Sequence, residues 1–313
     1  VEIPKNTAFE DMPIVSGIVV RSQAGFFTID TEDGQITARL RGRFKKGKRT
    51  GDLIAVGDRV SVSVHADETA MIEDIQERQS RISRMAPTPR GEYEQIIIAN
   101  PDQAILTFAC EDPPPNLRML DRFLIITEEQ GIPAVIVANK IDLVGKRRAR
   151  QLFGHYRKLG YPVVYTSAKQ RKGIRKLRRI LHKKLSVFAG PSGVGKSSLL
   201  NAVQPALGLQ VSEVSQATGR GRHTTAVRTM FPLKGGGYVA DTPGLKALAL
   251  WDIEPEELDG YFPEIARLVP ECQFSDCTHS DEPGCAVIKA VKQGSVHPER
   301  YASYLRLRFG DDY

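Results

Sequence analysis

Hydrophobic and polar residues alternate with period two through the first 81 residues, in the runs 14–20, 26–29, 36–40, 60–64 and 71–75. Side chains in a strand point to opposite faces in turn, so each run reads as a strand with one buried face. Asp33-Gly34, Gly51-Asp52, Gly57-Asp58 and Ala66-Asp67 supply turns between them. Five short strands in so short a stretch predict a small β-barrel. The oligonucleotide/oligosaccharide-binding (OB) barrel is the first expectation and an SH3-like barrel the alternative. From about residue 95 the period changes. Apolar runs at 103–109, 134–138, 163–165 and 186–189 alternate with helical stretches at 117–130, 147–159 and 174–184 and one starting at Lys196. Strands interleaved with helices predict a parallel sheet covered on both faces. Pro113-Pro114-Pro115 reads as a stiff entry to the helix at Leu117. Beyond residue 250 the chain is helical and acidic, interrupted by a cysteine cluster. The expected fold is therefore multidomain: an N-terminal OB barrel over 1–81, an α/β domain over 82–250 and a mostly helical domain over 251–313.

Composition supports folded domains: of 313 residues, 41% are hydrophobic and 26% charged, which excludes a disordered chain. No apolar run approaches the roughly 20 residues of a membrane span, and the first residues carry no charged-then-apolar signal pattern. Three of four cysteines crowd together with a histidine, which favours metal over disulfides and a reducing cytoplasm. The net charge of +7 is unevenly spread. Residues 1–81 hold 12 Lys and Arg against 13 Asp and Glu, residues 82–250 hold 26 against 11, and residues 251–313 hold 6 against 13. The basic middle suits a polyanion, unless it is simply a solvated face. A second basic stretch joins strands three and four: Arg39, Arg41, Arg43, Lys45, Lys46, Lys48 and Arg49, with Phe44 among them. These residues are candidate RNA-binding groups, cations for phosphates and a ring for a base, though basic loops are also common without such a role.

Gly190-Pro191-Ser192-Gly193-Val194-Gly195-Lys196-Ser197 has the spacing of a phosphate-binding loop, follows a short apolar strand and opens a helix, Ser197–Val203, whose Ser198 is also expected at the nucleotide. Its glycines let successive backbone N–H groups turn toward phosphate oxygens. Lys196 is expected on the β- and γ-phosphates and Ser197 on Mg²⁺. Asp241-Thr242-Pro243-Gly244 follows the strand 238–240, where Asp241 can hold Mg²⁺ through water and the Gly244 N–H can approach the γ-phosphate. Asn139-Lys140-Ile141-Asp142 ends another strand. Guanine offers two adjacent donors that one carboxylate, Asp142, can accept together; adenine does not. Asn139 can secure the loop, and the Lys140 stem can cover the base. Ser167, Ala168 and Lys169 end the next strand and can offer a backbone N–H to guanine O6. Together these pieces favour GTP over ATP.

The guanine-reading segments precede the phosphate loop here, the reverse of most small GTPases. That order is a circular permutation. A β-barrel N-terminus, permuted GTPase motifs and a Cys/His tail together resemble the bacterial small ribosomal subunit biogenesis GTPase A (RsgA) family over essentially the whole chain. The resemblance implies a late assembly factor that binds the small subunit and its rRNA, hydrolyses GTP when stimulated by it, and is thereby released. It also implies that Gly219–Thr225, carrying Arg220 and Arg222, is the first switch. There a threonine, Thr225 in preference to Thr224, completes the Mg²⁺ shell. Leu245 stands where many small GTPases carry or approach a glutamine, and leucine cannot orient water. His223 is the best internal candidate for that task, with contact to RNA phosphate as its alternative role. Lys196, His223 and Thr225 form the expected catalytic set. Gly193 gives no support for a potassium requirement.

Cys272-x4-Cys277-x-His279-x5-Cys285 supplies three thiolates and an imidazole, a set typical of one structural zinc. Cys110 is expected in the core and His297 as a cap or surface residue. The reading expects a monomer, off the membrane. Two other classes of function stay open at this point: a nucleotide-gated RNA-binding scaffold whose hydrolysis is incidental, and an ATPase.

Overall fold

A computed structural model describes residues 14–42, 51–64, 69–88, 91–209, 228–241 and 253–310. These fall into two compact units: residues up to Asn100 with 228–231, and residues from Pro101 to 209 with 232–310. Among the described residues, no helix is long and apolar enough to cross a membrane.

In the first unit, strands β1 (Ile14–Gln23), β2 (Phe26–Thr31), β3 (Gly34–Leu40), β4 (Arg59–Val64) and β5 (Ala70–Ile75) occupy the five predicted runs. They pair in the order β1-β2-β3-β5-β4, and β4 returns to β1 with Val62 opposite Val15. All these pairs are antiparallel except β3 with β5. Closure in this order, with one parallel pair, is the OB barrel and removes the SH3-like alternative. The inward positions of the alternation, including Val19, Ile29, Val60, Val62 and Ile72, form its core. Completing the unit, β12 (Arg228–Pro232) places Thr229 opposite Arg21 of β1.

A hairpin the sequence pattern does not reveal follows the barrel: β6 (Arg81–Thr88) and β7 (Gly91–Ala99). Pro87 and the unbroken 96–99 apolar run hide its period. Buried charge fixes it to the barrel. Asp58 is fully buried and accepts from Arg78 Nε and Nη2, both at 2.7 Å, and from the Ala55 N–H. Arg78 also donates to the Asp52 and Leu53 carbonyls, while the Asp52 carboxylate accepts from Tyr93 and from the Ile96 N–H.

The second unit alternates β8 (Gln103–Ala109), α1 (Leu117–Glu129), β9 (Ala134–Asn139), α2 (Ile141–Lys158), β10 (Val163–Tyr165), α3 (Ile174–Leu181), β11 (Leu185–Ala189), α4 (Lys196–Val203) and, after β12, β13 (Tyr238–Asp241). Its parallel sheet runs β10-β9-β8-β11-β13. Residues of β8, β9 and β11 are buried throughout, as a sheet covered on both faces requires. Two helix bounds differ from expectation by more than one residue. Helix α2 begins at Ile141 rather than 147, broken at Gly145 (φ 76°). Helix α3 stops at Leu181 rather than 184, because His182 turns extended and Lys183 enters the left-handed region.

The tail adds a 3-10 turn (Pro255–Tyr261), α5 (Pro263–Ala266), α6 (Ala286–Lys292) and α7 (Pro298–Phe309). Its apolar residues Leu258, Phe262, Ile265, Val287 and Tyr304 pack with Ile125 of α1. Arg300, 1% exposed, donates to both oxygens of Glu264 and, at 2.8 Å, to Asp121 of α1, which also accepts from the Tyr156 hydroxyl of α2. Breaking such a buried set by removing one partner typically costs about 3–5 kcal/mol. His297 caps α7 by accepting from the Glu299 N–H, and its ring stacks on His155 of α2 at 4.2 Å. Cys110 is a core residue, 1% exposed.

Candidate nucleotide site and metal cluster

Strand order in the second unit reverses between β8 and β11: the chain leaves β8 toward β9 and β10, but leaves β11 toward β13. The loops after those two strands diverge and open a crevice, the usual ligand position in such a sheet. A cavity of about 410 Å³ lies there, lined by Asp112, Asn139, Lys140, Asp142, Leu143, Ala168, Lys169, Gly195 and Ser198.

Asn139 holds the crevice together. It is 1% exposed, donates through Nδ2 to the Val194 carbonyl of the phosphate loop at 2.8 Å, and accepts through Oδ1 from Thr166 Oγ1 at 3.1 Å. A Cβ on Gly195 (φ +90°) would stand 2.6 Å from that Nδ2, and one on Gly190 (φ +142°) 2.0 Å from the Thr107 carbonyl of β8. Only glycine lets the loop curl this close to its neighbours. Lys196 donates to the Gly190 and Pro191 carbonyls at 2.9 and 2.8 Å, so its ammonium lies within the curl. Ser197 is half-buried in the first turn of α4, Ser192 is exposed and Val194 buried, while Pro191 and Gly193 form the loop's half-exposed arc. Asp142 sits in the first turn of α2. Ser167 is buried; its Oγ accepts from the Gln170 N–H at 3.0 Å and pins the turn that presents Ala168 and Lys169. Asp241 ends β13 in register with Phe188 of β11, beside the strand that leads into the phosphate loop. Gly244, Arg220, Arg222, His223, Thr224, Thr225 and Leu245 lie outside the described residues.

The tail cluster is equally local. Donor atoms of Cys272, Cys277, His279 and Cys285 all lie within 4.8 Å of one another. Tetrahedral zinc with Zn–S of about 2.3 Å and Zn–N of about 2.0 Å needs S···S edges near 3.8 Å and S···N edges near 3.5 Å. Cys272 and Cys285 sulfurs stand 4.0 Å apart, and 3.6 and 3.5 Å from His279 Nδ1. The four groups therefore fit one zinc with no open position. His279 turns its other nitrogen toward Asp259 Oδ2 at 3.4 Å, outside hydrogen-bond geometry but where a carboxylate can orient a histidine ligand. Burial holds His279 below the ordinary histidine range and pushes the Cys277 thiol up to about 12, so thiolates here call for a cation. Glu282 fastens the turn by accepting from the Thr278 and Ser280 N–H groups; against the effect of burial, hydrogen bonding led by the Thr278 side chain holds it down at about 2. Tyr301 and Tyr304 of α7 donate to the His279 and Thr278 carbonyls, tying the cluster to the helix that carries Arg300.

Residues 75–251 match the RsgA GTPase family and residues 16–72 the RsgA N-terminal domain. The chain belongs to the RsgA family. It is 45% identical over 297 residues to the small ribosomal subunit biogenesis GTPase RsgA of Gemmatimonas aurantiaca, covering 94% of this chain and 96% of that one. It is 42% identical over 291 residues to the protein of that name from Moorella thermoacetica, covering 93% and 95%. Among solved structures, YjeQ from Thermotoga maritima superposes with a TM-score of 0.77 at 37% identity over 95% of this chain and 98% of that one. YloQ, a circularly permuted GTPase, gives 0.72 at 32% identity over 99% and 98%. The chain is thus a GTPase with the permuted motif order of RsgA, and the ATPase reading falls away.

Two lining residues of this RsgA-family pocket escape sequence reasoning. Asp112 approaches Lys140, whose ammonium reaches both its carbonyl and its carboxylate, and Leu143 is 52% exposed at the rim. Their signal is positional: Asp112 follows β8, the strand at which the order reverses. On the RsgA N-terminal barrel, exposed Arg39 lies over the Phe26 ring at 4.4 Å, while Arg41 pairs with Glu73 at 3.0 Å. Arg43, Phe44, Lys45, Lys46, Lys48 and Arg49 lie outside the described residues.

Proposed function

We propose that this GTPase binds the small ribosomal subunit through rRNA, assists its late maturation in the cytoplasm, and hydrolyses GTP to leave it. The observation that supports this most directly is the Asn139–Val194 hydrogen bond, which joins a guanine-reading segment to a phosphate loop in one crevice. The relatives' names supply the ribosomal partner. In this reading Asp142 accepts the two guanine donors, the Lys140 stem covers the base, and the turn carrying Ala168 offers its N–H to O6. Lys196 takes the β- and γ-phosphates, and Ser197, Thr225 and, through water, Asp241 hold Mg²⁺. His223 orients the attacking water. One zinc holds the tail, and residues 1–81, 82–250 and 251–313 divide the work into RNA grip, nucleotide switch and second grip, on a monomeric chain. Arg39, stacked on Phe26, gives the barrel a cation and an aromatic face together, as single-stranded RNA favours.

The test is GTP turnover by the purified protein with and without small subunits. Turnover should rise at least tenfold with subunits; an unchanged rate leaves the protein an RNA-binding scaffold whose hydrolysis is incidental. Guanine selection is tested separately. Asp142→Asn replaces an acceptor pair by an acceptor and a donor, which suits xanthine. Competition binding should show GTP affinity falling about 10²-fold or more while XTP gains, since leaving polar groups unpaired in a site is strongly discriminating. A variant that keeps its preference for GTP removes Asp142 from the base.

A further inference from the structure

Between residues 141 and 189 the chain carries 15 Lys and Arg and a single acidic residue, Asp142, whereas the whole chain carries 44 against 37. Three of the 15 are tied to the fold by hydrogen bonds: Arg171 donates to the Ala202 carbonyl, Arg178 to that of Val203 and Lys184 to the Gln103 side chain. The others are exposed, and among the described residues none forms an ion pair. A surface helix held up only by solvent usually mixes both signs, because like charges on neighbouring turns repel. Here α2 presents Arg147, Arg148 and Arg150, and α3 presents Arg175, Lys176 and Arg179, with no carboxylate between them.

Topology brings these two helices to one edge. Strand β10 ends the sheet. The chain moves outward from β9 to β10 through α2 and back inward from β10 to β11 through α3. Right-handed crossovers in opposite directions put the two helices on opposite faces, so their cations wrap around the β10 edge. That edge lies away from β11 and its phosphate loop.

We propose that the α2–β10–α3 edge is an RNA-binding face that grips the phosphate backbone, separate from the barrel. The proposal rests on the ribosomal reading above for which RNA is bound. The chemistry favours RNA over a lipid surface. A membrane-binding helix needs apolar anchors among its cations, and of the exposed large hydrophobic residues, Ile14, Phe26, Leu143, Phe274 and Phe309, only Leu143 lies on these elements, and it lines the nucleotide cavity. Cations spread over two faces of an edge suit a rigid, densely charged backbone whose binding is driven by counterion release.

The experiment uses two triple variants of the full chain, Arg147→Gln/Arg148→Gln/Arg150→Gln and Arg175→Gln/Lys176→Gln/Arg179→Gln. Binding to purified small subunits is measured with a non-hydrolysable GTP analogue, from about 50 to 200 mM salt. Each variant should bind at least tenfold more weakly at the lower salt. The slope of log affinity against log salt should fall by about 2, since each lost phosphate contact removes roughly 0.7–0.9. GTP affinity and melting temperature should stay unchanged, which reports an intact fold. Retained affinity and slope in both variants overturn the proposal. Bare double-stranded RNA is the second probe. If the unmodified protein binds that RNA but not subunits, and the variants lose the RNA, the face stands and the ribosomal reading fails. If it binds neither, both fail. Loss of binding only to vesicles containing phosphatidylglycerol, with RNA binding intact, also overturns the proposal.

Discussion

Lys196→Ala should lower single-turnover GTP hydrolysis by at least about 10²-fold, the scale on which removing one group that stabilises developing charge acts. The ammonium lies inside the loop curl, held by the Gly190 and Pro191 carbonyls, where the charge of a bound polyphosphate would gather. No other described cation donates to that loop's carbonyls. The fold should survive, because α4 is anchored through Leu199, Leu200, Ala202 and Val203 on its buried side. Phosphate release measured with and without small subunits, beside a melting curve, decides it. Unchanged hydrolysis in a folded variant shows that this loop does not bind the reacting phosphates.

Cys272→Ser combined with Cys277→Ser should release one zinc per chain and loosen the whole tail. Structural zinc contributes about 10–16 kcal/mol in isolated fingers. The effect here should be smaller, several kcal/mol, because the tail is also held by Arg300 between Glu264 and Asp121. Loosening should spread, since Tyr301 and Tyr304 link the cluster's backbone to the helix that carries Arg300. Metal analysis and amide hydrogen exchange on 253–310 report both effects. GTP binding should persist, for among the described residues the cavity is lined by positions between 112 and 198, none of them in the tail. A zinc-free natural chain, or a double variant with full metal content, contradicts the ligand set.

The legibility of this chain depended on how local each signal is. Strands β1 to β5 could be placed because alternation marks the buried face of a strand wherever the strand lies. Hairpin β6–β7 could not, because Pro87 and the apolar run 96–99 blur its period and its anchoring comes from Asp58 and Asp52, 20 and 44 residues away from the partners Arg78 and Ile96 on no common motif. Helix α3 looked longer than it is because nothing in Ile180-Leu181-His182-Lys183 marks the turn that His182 and Lys183 make into β11.

By itself the sequence determined the chemistry that short segments carry. The phosphate loop needs glycines at fixed spacing, the carboxylate proposed to read guanine must follow its strand directly, and three cysteines and a histidine that can hold one zinc fall within 14 residues. Tertiary structure alone decided what lies opposite what. It closed β4 onto β1, set Asn139 against Val194 across 55 residues, placed Asp112 beside Lys140, and buried Arg300 against Asp121 across 179. The physical reason is that a motif's geometry is set by bonds and dihedrals within a few residues. A long-range contact must outweigh the entropy of closing a long loop, and it does so only when complementary surfaces from the whole chain assemble together.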